Sequence, residues 1–242
     1  MDFQIQADQM AVSMARLLRD GERVFHGVAS PLPMVAILLA RKLHAPNLVY
    51  LNIAGGVNPL PEKVPSSTLD PVLAQGSPAI FSLIEIFDLS ARGELDTVFL
   101  GGVQIDRYGR INLSAIGGDY WRPKVRLPGG AGSAALMPTA KRTILWRTKH
   151  TPRTFVEKLD FVTAAGRVDR IVTPLCVFAL RDGELQVESI HPYVRPEEVV
   201  ENTGFPVRVD ANTPITPPPT DEELKALYAL DPDNIRLTEF RS

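Results

Sequence analysis

The sequence predicts an α/β fold with a twisted, mainly parallel central sheet and helices on both faces. Three observations carry that prediction. Early in the chain a strand pattern, a helix pattern and a second strand pattern follow one another, the order of a βαβ unit. Apolar runs then end repeatedly in glycine, at Gly55-Gly56 and at Gly101-Gly102, as strands do where they meet ligand-binding loops. Finally, 242 residues of which 45% are hydrophobic and 22% charged can bury a substantial core.

Over 6–19, Met10, Val12, Met14, Leu17 and Leu18 recur at near-helical spacing before Asp20-Gly21, so an amphipathic helix is expected there. Residues 23–28 read as a short strand. Ser30-Pro31 opens a helix running to Leu43, proline being tolerated in a first turn. Residues 48–53 form the next strand, and prolines and serines over 60–76 break any period, which reads as a long surface loop. A helix over 82–92, a buried strand over 95–100 and further strands over 143–146 and 170–173 continue the alternation. Asp182-Gly183 between alternating apolar residues predicts a hairpin over 180–187. Residues 197–202 look helical and stop at Gly204. Four of the 21 prolines fall in 213–220, an extended strap, and an acidic start predicts a helix over 221–230. The organisation expected is one domain over 1–212, followed by strap and terminal helix over 213–242, with a hairpin before the proline-rich tail.

A formal net charge of −2 supplies no basic field for nucleic acid or anionic membrane, and neither is expected as a partner. The single cysteine, Cys176, excludes an intrachain disulfide, and its apolar neighbours read as a buried strand. His26, His44, His150 and His191 show no metal-ligand spacing, so no metal is expected. The apolar run 31–40 is too short to span a bilayer, and Asp2 and Asp8 do not fit a signal peptide; a cytoplasmic location is expected.

The stretch most suggestive of chemistry is Pro128-Gly129-Gly130-Ala131-Gly132-Ser133, a glycine loop that passes straight into a helix-forming run. Such a loop can aim several N–H groups at one point, which suits an oxyanion or a phosphate, although similar loops also serve as plain turns. His26 closes a predicted strand, where an imidazole can act as acid or base or be a satisfied structural group. Gln104 and Asn112 each both donate and accept; they suit a carbonyl or catalytic carboxylate, or a buried turn network around Asp106 and Tyr108. Arg122, Lys124 and Arg126 precede the glycine loop and read either as phosphate contacts or as a solvated basic segment.

These residues resemble a known set. The run from Gly101 to Asn112, GGVQIDRYGRIN, is similar to the GG-x-Q-[VI]-D-x-x-G-N-x-N signature of family I coenzyme A transferases. Residues 128–132 resemble that family's glycine loop, and 155–163 resemble a segment of its glutaconate-transferase-like β subunits. His191-Pro192-Tyr193, residues 201–205 and 217–220 continue the likeness over nearly the whole chain.

The resemblance implies an α/β fold of the CoA-transferase (NagB/RpiA-like) type and an α subunit of similar fold as partner, with the active site between the two. It also implies an acyl-CoA thioester as substrate, coenzyme A as part of that substrate, and no permanently bound cofactor. Transferring members use a β-subunit glutamate as nucleophile in an E-[SN]-G element. Ala54-Gly55-Gly56 stands at that position, so no residue of this chain is expected to be the nucleophile. That departure resembles the branch whose heteromeric hydrolases open the last ring of steroid-derived acyl-CoA intermediates, with the glutamate on the α subunit. The alternatives are a conventional dicarboxylate CoA-transferase subunit or a non-catalytic scaffold subunit that completes the acyl-CoA site. Gly130, Ala131 and Gly132, with Gln104 and Asn112, are the expected oxyanion or acyl-CoA contacts. Arg110 stands where the signature has asparagine and is the candidate partner for a substrate carboxylate.

Overall fold

The computed structural model describes residues 2–240. Contacts divide the chain into two compact units, Met1–Phe99 with Pro218–Ser242, and Leu100–Pro217. The strap over 213–220 has residues in both units, and the terminal helix belongs to the first.

In the first unit α1 (Phe3–Arg16) starts on Asp2, whose carboxylate accepts the Gln4 N–H at 2.8 Å. It leads to β1 (Arg23–His26), α2 (Pro31–Leu43), β2 (Val49–Asn52), β3 (Gly56–Val57), β4 (Ala79–Ile80), α3 (Leu83–Ala91) and β5 (Thr97–Gly101), which reaches the unit boundary. β1 pairs in parallel with β2 and with β5, whereas β2–β3 and β3–β4 are antiparallel. The sheet order here is therefore β5-β1-β2-β3-β4. The loop over 60–76 contains one 3-10 turn, Pro71–Ala74, capped by Asp70.

The helix expected to be amphipathic is buried on more than its apolar side, because Asp8, Gln9 and Ser13 are buried with their neighbours. The chain's C-terminal end covers them. A helix over Asp221–Leu230 carries a Thr220/Glu223 capping box, and Tyr228 donates its hydroxyl to Asp8 Oδ2 at 2.7 Å. Arg236, fully buried, bridges Asp8 Oδ1 at 2.6 Å and Asp231 Oδ2 at 2.8 Å, while Arg16 pairs with Glu223. Polar residues that a sequence pattern assigns to solvent thus meet polar partners from the other end of the chain.

In the second unit β6 (Gln104–Asp106) and β7 (Ile111–Asn112) make a hairpin extended by β11 (Phe155–Val156). β8 (Ala115–Gly118) and β9 (Pro123–Arg126) form a separate two-stranded ribbon. After α4 (Ser133–Thr139), β10 (Arg142–Trp146) pairs in parallel with β12 (Val168–Val172), and β13 (Cys176–Arg181) and β14 (Glu184–Ile190) add antiparallel. The hairpin turns on Asp182 and Gly183, both at positive φ, as an Asp-Gly turn requires. α5 (Pro196–Glu201) follows, and the proline strap lies along β14 through the Ile190–Ile215 bridge. Phe155, Phe178 and the buried His150 pack as an aromatic cluster in the core.

Candidate functional site

The signature segment of the second unit folds as a tight hairpin. Asp106 accepts the N–H groups of Tyr108 and Arg110 at 3.1 and 3.0 Å, and Gly109 completes the turn at φ +72°. A Cβ on Gly102 would lie 2.9 Å from Ile111 Cγ2, so that glycine is required by packing. Arg110 gives its Nε to Asp106 Oδ2 at 2.7 Å and lies over the Tyr108 ring. Its guanidinium is thus already held by a buried carboxylate. A substrate carboxylate would have to compete with that pair.

Asn112 and Gln104 are buried and their polar atoms are engaged. Asn112 Nδ2 donates to Gln104 Oε1 and to the Ala115 carbonyl, both at 2.7 Å, while its Oδ1 accepts the Ser114 N–H at 2.9 Å. Gln104 Nε2 donates to Asp160 Oδ2 at 2.7 Å. This pattern tethers the start of the β8–β9 ribbon to the hairpin. It is the arrangement of positioning groups.

The ribbon continues into the glycine loop. Leu127 and Gly129 donate their N–H groups to the carbonyls of Ser114 and Leu113 at 3.0 and 2.7 Å. Thr163 Oγ1 bonds both Leu113 N and Ser114 Oγ, pinning the opposite strand. Beyond Gly129 (φ +96°) the backbone alternates hand, with Ala131 at φ 44° and Gly132 at φ −82°. The N–H groups of Gly130, Ala131 and Gly132 have no acceptor among the described residues. Successive free N–H groups on a backbone of alternating hand form a concave anion nest. Ser133 folds back to bond the Gly130 carbonyl through both its N–H and its hydroxyl, which holds the loop's shape.

Two positions singled out by sequence lie in the first unit. His26 is fully buried at the end of β1; Nδ1 meets Ser30 Oγ at 2.8 Å and Nε2 meets Tyr50 Oη at 2.5 Å. Burial pushes its pKa down to about 4, so the ring is neutral at pH 7 with both nitrogens occupied. Ala54 sits in the turn closed by the Gly55 N–H on the Asn52 carbonyl at 2.9 Å. The glycines after it are dictated by crowding: a Cβ on Gly56 would lie 2.0 Å from the Leu73 carbonyl oxygen. Asn52 spends its amide on the Gly56 and Leu73 carbonyls. Of the acids downstream, Asp70 caps the 3-10 turn and Glu62 is exposed. A cavity of about 260 Å³ lies beside this turn's strands, lined by Leu51, Val57, Phe81, Ile86 and Leu89 with charged groups at its rim.

Asp160, Thr163 and Ser114 hold the loop, yet composition and spacing did not mark them, since 56 residues separate Gln104 from its Asp160 partner. Among the described residues no cluster of three or more His, Cys, Asp or Glu is arranged to hold a metal ion, and no helix is long and apolar enough to cross a membrane.

A turn after β2, a hairpin signature and a glycine nest, in this order along the chain, are shared with known proteins. The family model described as coenzyme A transferase matches residues 7–202. The chain belongs to the coenzyme A transferase family. Among relatives, the B component of 3-oxoadipate CoA-transferase from Pseudomonas knackmussii is 36% identical, with 93% of this chain and 92% of that protein covered. The IpdB subunit of the cholesterol ring-cleaving hydrolase of Rhodococcus jostii is 28% identical over 96% of this chain and 94% of its own. The crystal structure of the decarboxylase AibA/AibB superposes with a TM-score of 0.89 at 31% identity, covering 96% of each chain. This coenzyme A transferase relative therefore aligns nearly end to end with proteins whose names span transfer, hydrolysis and decarboxylation.

Proposed function

We propose that this chain is the β subunit of a two-subunit acyl-CoA enzyme in which the partner supplies the reactive carboxylate, and that the reaction is hydrolytic ring opening of a cyclic, steroid-derived acyl-CoA. The observation that carries this reading is Ala54, a methyl group in the turn where a transferring β subunit presents its glutamate. A methyl group forms neither an anhydride nor a glutamyl thioester. The relation to the IpdB subunit supports the hydrolytic branch.

In this mechanism the partner's carboxylate takes a proton from water, and the hydroxide adds to a ring ketone placed β to the thioester. The carbon–carbon bond breaks, the electron pair passes to the α-carbon, and that carbon takes up the proton. The water's oxygen ends in a new carboxylate. Negative charge develops on oxygen twice, and the N–H groups of Gly130, Ala131 and Gly132 are the donors this chain offers to it. Gln104, Asn112 and Asp160 keep those donors in place.

Conventional CoA transfer is the second reading, favoured by the 36% identity to a component of a 3-oxoadipate CoA-transferase. Co-expression with the candidate α subunit, exposure to acyl-CoA, borohydride or hydroxylamine trapping and peptide mass spectrometry separate the two. Hydrolysis without any adduct fits the proposal; an adduct on a partner glutamate keeps the reactive carboxylate on the partner but makes it a nucleophile in place of a base. An adduct on a glutamate of this chain overturns it in favour of transfer. Release of CO2 would instead place the enzyme with the decarboxylase it superposes on.

A further inference from the structure

The β8–β9 ribbon ends in a feature that the proposed chemistry leaves unused. Trp121, at its tip, is 84% exposed, more than any other large hydrophobic side chain among the described residues. It is not a loose loop residue. Asp119 accepts the N–H groups of Trp121 and Arg122 at 2.8 and 2.9 Å, which fixes the turn. Tyr120 beside it stacks on Phe161 at 4.8 Å, and the Arg126 guanidinium lies over the Tyr120 ring at 4.7 Å. The tip is therefore braced, with its one large indole in water. An exposed indole on a fixed turn offers an apolar stacking face with a polar N–H edge.

Arg122 and Lys124 follow that indole in the chain. Both are exposed, and neither pairs with a carboxylate of the described residues. Gly117 across the ribbon makes room for Lys124, since a Cβ there would lie 2.9 Å from Lys124 Cδ. At the other end of the ribbon is the glycine nest, reached through the Gly129–Leu113 bond. The chain from Pro123 to Gly129, at ~3.3 Å per residue, places nest and tip roughly 20 Å apart.

An anion nest, a ribbon of this length and an exposed indole on a fixed turn, followed in the chain by two unpaired cations, match an elongated ligand with a polar head, an extended arm and a phosphorylated aromatic base. We infer that the ribbon tip binds the nucleotide end of coenzyme A, Trp121 stacking on the adenine and Arg122 and Lys124 meeting its phosphates. The pantetheine arm runs back along the ribbon towards Gly130. This inference rests on the acyl-CoA reading above and adds the subsite that recognises the carrier.

The test uses the co-purified two-subunit complex and calorimetric titration with coenzyme A itself. Trp121→Ala and the Arg122→Ala/Lys124→Ala double variant are each expected to weaken binding at least ~10-fold. The double variant should also flatten the dependence of affinity on salt. The Arg122→Lys/Lys124→Arg exchange, which conserves charge, should stay close to wild type. Unchanged affinity in Trp121→Ala and in the double alanine variant overturns the inference while leaving the acyl-CoA reading in place. Loss of co-purification with the partner in either also overturns it, and makes the tip a subunit contact. A wild-type complex that does not bind coenzyme A would remove the acyl-CoA reading and this subsite with it.

Discussion

Gly130 combines two demands in one residue. Its N–H is a free donor of the nest, and a Cβ at this position would lie 2.5 Å from Thr163 Cγ2. Gly130→Ala should therefore reduce turnover of the assembled enzyme by about 10²–10³-fold, the cost of displacing an oxyanion donor. Adding Thr163→Ser removes the offending methyl and keeps the Oγ1 that holds Leu113 N, so partial recovery is expected in the double variant. Steady-state kinetics on both variants checks the pair; a Gly130→Ala enzyme with wild-type kcat would take the nest out of the mechanism. Asn112 works through shape instead. Asn112→Ala leaves Gln104 Oε1 with only the long 3.5 Å bond from the Asp160 N–H and takes the partner from the part-buried Ser114 N–H, and about 1–3 kcal/mol of stability should be lost in denaturant titration.

At the level of elements, the ends of the chain hold each other. Arg236 belongs to a short C-terminal 3-10 helix over Ile235–Phe240, and its two buried carboxylate partners lie in α1 and in the preceding loop. Arg236→Ala strands Asp8 and Asp231 in the interior. A loss of about 3–5 kcal/mol is expected, because removing one member of a buried ion pair leaves an uncompensated charge. Thermal unfolding reads this directly, and a shift within error would show that the carboxylates find water. The elements most legible in the sequence carry their own local instructions: Pro31 at a first turn, the Thr220/Glu223 capping box and the Asp182-Gly183 turn. The β8–β9 ribbon has no such instruction. Its glycines and basic residues read as a loop, and it becomes a ribbon through cross-strand pairing and the Asn112 tether.

For the molecule as a whole, three buried histidines set the response to acid. Burial lowers the pKa of His26 to about 4, of His150 to about 3 and of His191 to about 4, each below its ordinary 6.5. The unfolded chain therefore takes up these protons first, so the stability they protect is complete above pH 6.5 and is lost as pH falls towards 4. Each contributes a slope of up to about 1.4 kcal/mol per pH unit within that window. Urea midpoints at pH 7, 6 and 5 should fall progressively, and His150→Asn should flatten the decline; a flat profile in the wild type would mean the histidines are protonated in the folded state. Cys176, its thiol pushed up to about 12 by burial, should resist alkylation until the protein unfolds.

The sequence by itself determined the α/β class, most helices and strands to within a few residues, and the family. These are properties of short windows: hydrophobic period, turn and cap chemistry, and motifs read in order. Tertiary structure alone decided what those residues are free to do. Gln104, Asn112 and Arg110 read as ligands from their chemistry, yet Asp160, Ala115 and Asp106 already occupy their polar atoms. His26 reads as an acid or base and is enclosed between Ser30 and Tyr50. Asp8, close to the N-terminus, is buried against Arg236 from the far end of the chain. A hydrogen-bonding group has few partners to give, and which ones it meets depends on chain segments tens to hundreds of residues away, a fact that no local window contains.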